Sequence, residues 1–158
     1  MATYVVLAAE KLRRQRQRAA ALTVYTRTSP FIPAFYSQAA STRLDLPSND
    51  TAVLLEATLP LVDRIFRPHR QLAKAGVLMQ HLQGTDTLQS HLMVPMSAEQ
   101  QGKRECLMQT IDRLNQRYGR GTVHWAACGL QPGWMMRRER LSRAATTRLS
   151  DLPTIHAR

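Results

Sequence analysis

The chain has 158 residues, 44% of them hydrophobic, and carries 22 Lys and Arg against 11 Asp and Glu for a net charge of +11, with an isoelectric point near 11.0. That length suits one ordinary domain, or a small domain with an appendage, and the apolar fraction is enough to bury a core. The charge points to nucleic acid or another polyanion as partner, while the lack of any run near the roughly twenty apolar residues of a membrane span argues against a membrane protein.

The opening MATYVVLAAEKLRR has too short an apolar run for a signal peptide, so a cytoplasmic location is expected. Two cysteines, Cys106 and Cys128, lack C-x-x-C or Cys/His finger spacing and read as free thiols, with no structural zinc. In chain order, Tyr4 to Ala20 predicts a helix: Val5, Ala8, Ala9, Leu12 and Ala19 fall in one apolar arc, with Lys11, Arg13, Arg14 and Arg18 largely outside it. Leu22 to Arg27 alternates as a half-buried strand, with Thr23, Tyr25 and Arg27 on its outer side. After a proline-bearing connection, Thr42 to Leu46 predicts a second strand that pairs with the first.

Ser48, Asn49 and Asp50 offer capping oxygens to a helix over Thr51 to Phe66, with an apolar stripe of Val53, Leu54, Ala57, Leu61 and Ile65. Pro60 inside that pattern is expected to kink or split it. Gln71 to Leu82 predicts a third strand, and Gly84 to Gly102, with no clear periodicity, a linker. A last helix, Glu105 to Tyr118, stacks Leu107, Ile111 and Leu114 before Gly119 stops it, and Thr122 to Ala127 predicts a short strand with Trp125 in the core.

The charge is unevenly spread. Met1 to Arg27 holds six bases against Glu10 alone, and Lys103 to Arg158 holds eleven bases against four acids, flanking a middle that sums close to neutral. No catalytic constellation emerges. Asp45, Asp50, Glu56 and Asp63 are scattered, the five histidines show no helical metal spacing, and no base is placed beside Cys106 or Cys128. Gly119 and Gly121 read as a turn around Arg120 rather than as a phosphate-cradling loop.

Particular motifs go further. Arg117 to Thr122 (RYGRGT), Trp134 to Ser142 (WMMRRERLS) and Thr146 to Pro153 (TTRLSDLP) resemble the C-terminal tail of the UmuC family, catalytic subunits of SOS-induced Y-family translesion polymerases. Ala8 to Arg13 (AAEKLR), Arg27 to Phe31 (RTSPF) and Lys74 to Leu78 (KAGVL) are similar to that family's little finger, in matching order. The resemblance implies an α+β fold, a small antiparallel sheet backed by two helices, followed by a linker and a small helix-strand tail. The divisions are 1–83 for the little-finger-like part, 84–102 for the linker and 103–158 for the tail. It also implies a little finger lacking the strand that precedes its first helix. A sheet with an unpaired edge forfeits roughly 1.5 to 3 kcal/mol for each large core side chain left uncovered, so a truncated or split gene product of marginal stability is expected.

In function, the resemblance implies a non-catalytic piece, without the palm that carries the polymerase's metal-binding carboxylates, and with neither metal nor cofactor of its own. DNA contacts are expected from Arg13, Arg14, Thr23, Tyr25, Arg27, Arg43 and Lys74 in the little finger and from Arg137, Arg138 and Arg140 around Trp134 in the tail. Within the linker, Gln89, Leu92 and Met93 resemble a sliding-clamp peptide, Met93 standing where an aromatic is usual. UmuD-like and RecA-like proteins are further expected partners. The rival expectations are a little-finger subunit of a split polymerase acting with a separate palm-bearing chain, and a remnant that binds only proteins.

Overall fold

A computed structural model describes residues 1–31, 33–85, 98–130, 142–143, 146 and 149–153. Its elements run α1 (Ala2–Arg14), β1 (Gln17–Arg27), β2 (Ser37–Ser48), α2 (Thr51–Ile65), β3 (Lys74–Gly84) and α3 (Ala98–Tyr118), followed by single 3-10 turns at Ala126–Cys128 and Leu149–Asp151. The strands form one antiparallel sheet in the order β2-β1-β3, so β1 is central and β2 and β3 are the edges. This is the expected α+β arrangement.

Alternation along β1 sorts its side chains between two faces. Leu22 and Val24 point to the core, where they meet Val5, Ala9 and Leu12 of α1 and Leu54, Leu55, Leu61 and Ile65 of α2. Both helices therefore lie on one side of the sheet. Thr51 and Thr58 are also buried on α2, and Thr58 is tolerated there because its hydroxyl donates to the Leu54 carbonyl one turn back at 2.6 Å. Asp50 is the residue that caps α2, accepting from the Ala52 backbone N–H at 2.8 Å. Val53, expected on the buried stripe, is half-exposed, while Leu55 takes a core place.

Pro60 does not split α2. It lies on the exposed side, and the helix runs unbroken from Thr51 to Ile65; the carbonyl whose bond it cannot take belongs to exposed Glu56 and is open to water. The first helix is shorter than expected. It ends at Arg14, Arg16 adopts φ 52°, and β1 begins at Gln17. Ala19, Ala20 and Ala21 favour helix by propensity, yet pairing with β3 from Gln17↔Gly84 onward places them in a strand. A register shift between Ala19 and Ala21 bends the β2 side of the sheet.

The chain after β3 departs further from expectation. The last helix begins at Ala98, inside the stretch 84–102 read as linker. Its buried residue is Met108, at 3% exposure, whereas Leu107 is 53% exposed and Leu114 faces solvent too. Thr122–Ala127 forms no strand: Val123 is held by the Asn115 side chain, which donates to its carbonyl and accepts from its N–H, and the chain then turns into the 3-10 segment. Trp125 does pack against the core, half-buried. No helix among the described residues is long and apolar enough to cross a membrane.

Candidate nucleic-acid interface

Because α1 and α2 cover one face of the sheet, the other is open among the described residues. Its rows follow from the register. Ala21 of β1 lies between Arg43 and Gln80, Thr23 between Ser41 and Leu78, Tyr25 between Ala39 and Gly76, and Arg27 between Ser37 and Lys74. The structure thus brings Thr23, Tyr25, Arg27, Arg43 and Lys74 to one surface. Asp45, exposed two residues beyond Arg43, is the one carboxylate in these alternating positions.

The middle of that face is flat for identifiable reasons. Thr23 is only 8% exposed, and its hydroxyl is engaged by Ser41 Oγ at 2.8 Å and donates to Gln80 Oε1 at 2.8 Å. It forms a satisfied floor rather than a free ligand. Tyr25 lies down on Gly76: a Cβ at that glycine would meet the tyrosine Oη at 2.5 Å and Cζ at 2.6 Å, so only the missing side chain admits the ring. Arg27 has its Nε buried without an acceptor among the described residues. That leaves its cationic group under-bonded at the rim of the face.

One nearby cation is not evident from the sequence pattern. Arg70, in the loop between α2 and β3, sits over the Tyr36 ring at 5.2 Å, and Tyr36 in turn donates to the Ile65 carbonyl and neighbours the first residue of β2. The Arg70 loop runs by the Arg27 end of the sheet, where the Ala73 N–H donates to the Arg27 carbonyl, but through Tyr36 the arginine leans toward α2 rather than onto the open face. The signal was present: Arg64 to Thr85 contains Arg64, Arg67, Arg70 and Lys74 and no acid. Averaging it with Asp45, Asp50, Glu56 and Asp63 made the middle of the chain look neutral.

Two expected contacts are placed elsewhere. Arg13 is turned inward: Nε and Nη2 donate to the two carboxylate oxygens of Asp112 at 2.6 and 2.7 Å, and Nη1 donates to the Asn49 carbonyl at 2.7 Å and Thr51 Oγ1 at 2.9 Å. With a side-chain exposure of 10%, it is a fastener between α1, α2 and α3, with four of its five N–H donors engaged. Sequence could not expose this, since Asp112 is 99 residues away. Arg14 is exposed, but on the helical side of the molecule. Arg137, Arg138 and Arg140, and the clamp-like Gln89, Leu92 and Met93, lie outside the described residues.

Among the described residues no group of three or more His, Cys, Asp or Glu is placed to hold a metal ion. Residues 1–92 match the family model described as the impB/mucB/samB family C-terminal domain. The chain belongs to the impB/mucB/samB family. Residues 105–155 match a second model, a domain of unknown function, DUF4113. Among curated relatives, the protein SamB of Salmonella typhimurium is 36% identical over 148 residues, covering 92% of this chain and 34% of SamB. ImpB of the same species is 36% identical over 152 residues, 95% of this chain and 35% of ImpB. UmuC of Salmonella typhimurium strain LT2 is 34% identical over 152 residues, with 95% and 36% covered, as the tail and little-finger motifs led one to expect. The chain spans about a third of the length of these family members.

Proposed function

We propose that this chain serves translesion DNA synthesis as a holding module: it grips duplex DNA through phosphates on the open face of its sheet and performs no bond-making chemistry itself. The observation that carries this reading is the open face, where Arg27, Arg43 and Lys74 surround the flat patch of Thr23, Tyr25 and Gly76 with one carboxylate in the alternating positions. A face that is merely solvated mixes both signs; this one is cationic at its rim and smooth at its centre. Family membership supports the same reading, through relatives named UmuC, ImpB and SamB.

Phosphate contacts position a protein without reading sequence. Binding should therefore vary little with base composition and fall steeply with salt. Each neutralised phosphate contributes about 0.9 to the log-log slope, so the three face cations account for roughly −2.7 of it. A titration of a blunt duplex from low to physiological salt tests it: Arg27→Gln with Arg43→Gln should reduce the slope by roughly 1.8. A slope near zero, or one the double variant leaves unchanged, overturns the reading. In the same proposal, residues 84–102 tether the module to a sliding clamp through Gln89, Leu92 and Met93. Residues 103–158 meet UmuD-like or RecA-like partners, with Arg137, Arg138 and Arg140 adding phosphate contacts. The module acts in the cytoplasm.

A further inference from the structure

We infer a second anion site, built for a phosphate group, on the helical side of the molecule and separate from the open sheet face. A cavity of about 290 Å3 is lined there by Leu7, Glu10, Lys11 and Arg14 of α1 and by Arg120 from the turn after α3. The four α1 residues recur at i, i+3, i+4 and i+7 and so share one helix face, turned away from the face of Val5, Ala9 and Leu12 that packs on the sheet. The cavity's wall is thus three cations and one carboxylate over the apolar surface of Leu7.

Arg120 is what makes this more than a charged helix face. Lys11 and Arg14 in the last turn of α1 have an ordinary explanation, since cations there complement the helix dipole. Arg120 follows the C-terminus of α3, but it reaches this cavity from a different element. It sits at the tip of a turn whose flanking residues, Gly119 at φ 110° and Gly121 at φ 86°, occupy backbone conformations that side-chain-bearing residues rarely adopt. The turn is closed by Thr122, whose N–H and hydroxyl both donate to the Gly119 carbonyl, at 3.3 and 2.8 Å. Beyond it, Asn115 holds Val123 by two hydrogen bonds, and Trp125 anchors the following segment on the core.

The backbone is thereby fixed so that a third cation stands beside two others. None of Lys11, Arg14 or Arg120 is ion-paired or hydrogen-bonded through its side chain among the described residues. Like charges that line one cavity repel, and an anion seated among them removes that cost while offering acceptors to two guanidinium groups and an ammonium. The ligand chemistry is a phosphate group, from a nucleic-acid backbone or from a free polyphosphate. The site uses none of the residues on which the sheet-face reading rests, so either can fail alone.

The test uses the full chain with two probes, pyrophosphate followed by calorimetry and a single-stranded oligothymidylate followed by fluorescence anisotropy. Arg120→Gln, and separately Lys11→Gln with Arg14→Gln, should each weaken pyrophosphate binding at least fivefold. Arg113→Gln removes an equal charge from an exposed position of α3 outside the cavity and should change it less than twofold. Arg120→Lys, which keeps the charge but loses the fork, should fall between wild type and Arg120→Gln. If the oligonucleotide follows the same ranking, the phosphate is that of a nucleic-acid strand; if pyrophosphate alone does, it is a free polyphosphate. Absence of pyrophosphate binding, or an Arg113→Gln loss equal to that of Arg120→Gln, overturns the proposal.

Discussion

The helices of this protein are attached in two different ways. α1 and α2 are held by apolar burial: Val5, Ala9 and Leu12 of the first and Leu54, Leu61 and Ile65 of the second close over Leu22 and Val24 of the central strand. α3 is held by charge. Asp112 takes the Arg13 fork, Glu105 accepts from Arg18 at 2.7 Å, and Arg104 approaches Asp50 at 3.4 Å, while Met108 is its one fully buried apolar residue among those described. Apolar contact is not screened by salt and scales with area, whereas partly exposed ion pairs are geometrically specific and screened. The sheet unit and α3 should therefore respond to different perturbations.

The largest effect is expected where the core is densest. Leu54→Ala removes a side chain at 0% exposure and should lower unfolding free energy by about 3 kcal/mol in a denaturant titration. Leu107→Ala, on the exposed side of α3, should change it by less than about 0.5 kcal/mol. Equal losses would erase the distinction between the two attachments.

Next in size is Asp112→Ala, which leaves the Arg13 guanidinium short of two acceptors in a mostly enclosed place and should cost about 2 kcal/mol. Its sharper signature is local. Hydrogen exchange should accelerate along α3 while the amides of β1 stay protected, and raising salt toward 1 M should do the same to the wild type. Loss of protection in both places at once would mean that α3 is part of the core unit after all.

Smaller still is Asp50→Ala, which deletes the cap of α2 together with the Arg104 contact, for about 1 kcal/mol by thermal denaturation. The smallest change in stability is expected from Gly76→Ala, where the added Cβ meets the far end of the Tyr25 ring and the ring can swing away. Its readout is spectroscopic: the ring-current shift that Tyr25 imposes on the Gly76 α-protons should disappear. A retained shift would show that the ring does not rest on the glycine.

Much of the apolar unit was legible in the sequence because its determinants are local. The spacing of Val5, Ala9 and Leu12, the oxygen of Asp50 before α2, and the alternation from Leu22 to Arg27 each carry a periodicity or a cap that chain order displays. The open face was legible in the same way, since period two alone puts Thr23, Tyr25 and Arg27 on one side. What failed was set by partners far along the chain. Ala19 and Ala20 read as helix because nothing nearby announces β3, and Arg13 read as a solvent-facing cation because its acceptor lies on α3. On α3 itself, the stripe of Leu107, Ile111 and Leu114 is real as spacing, but spacing cannot tell which side of a helix a charge-based dock will choose.

The most direct test of the central claim is a map of backbone amide shifts as a short DNA duplex is added to the isotopically labelled chain at low salt. The account predicts that the largest changes fall on Thr23, Tyr25, Arg27, Ser41, Arg43, Lys74 and Gly76, with the buried stripe of α2 around Leu54 and Leu61 silent. Changes confined to the helices, with the open face of the sheet unmoved at saturating duplex, would contradict it.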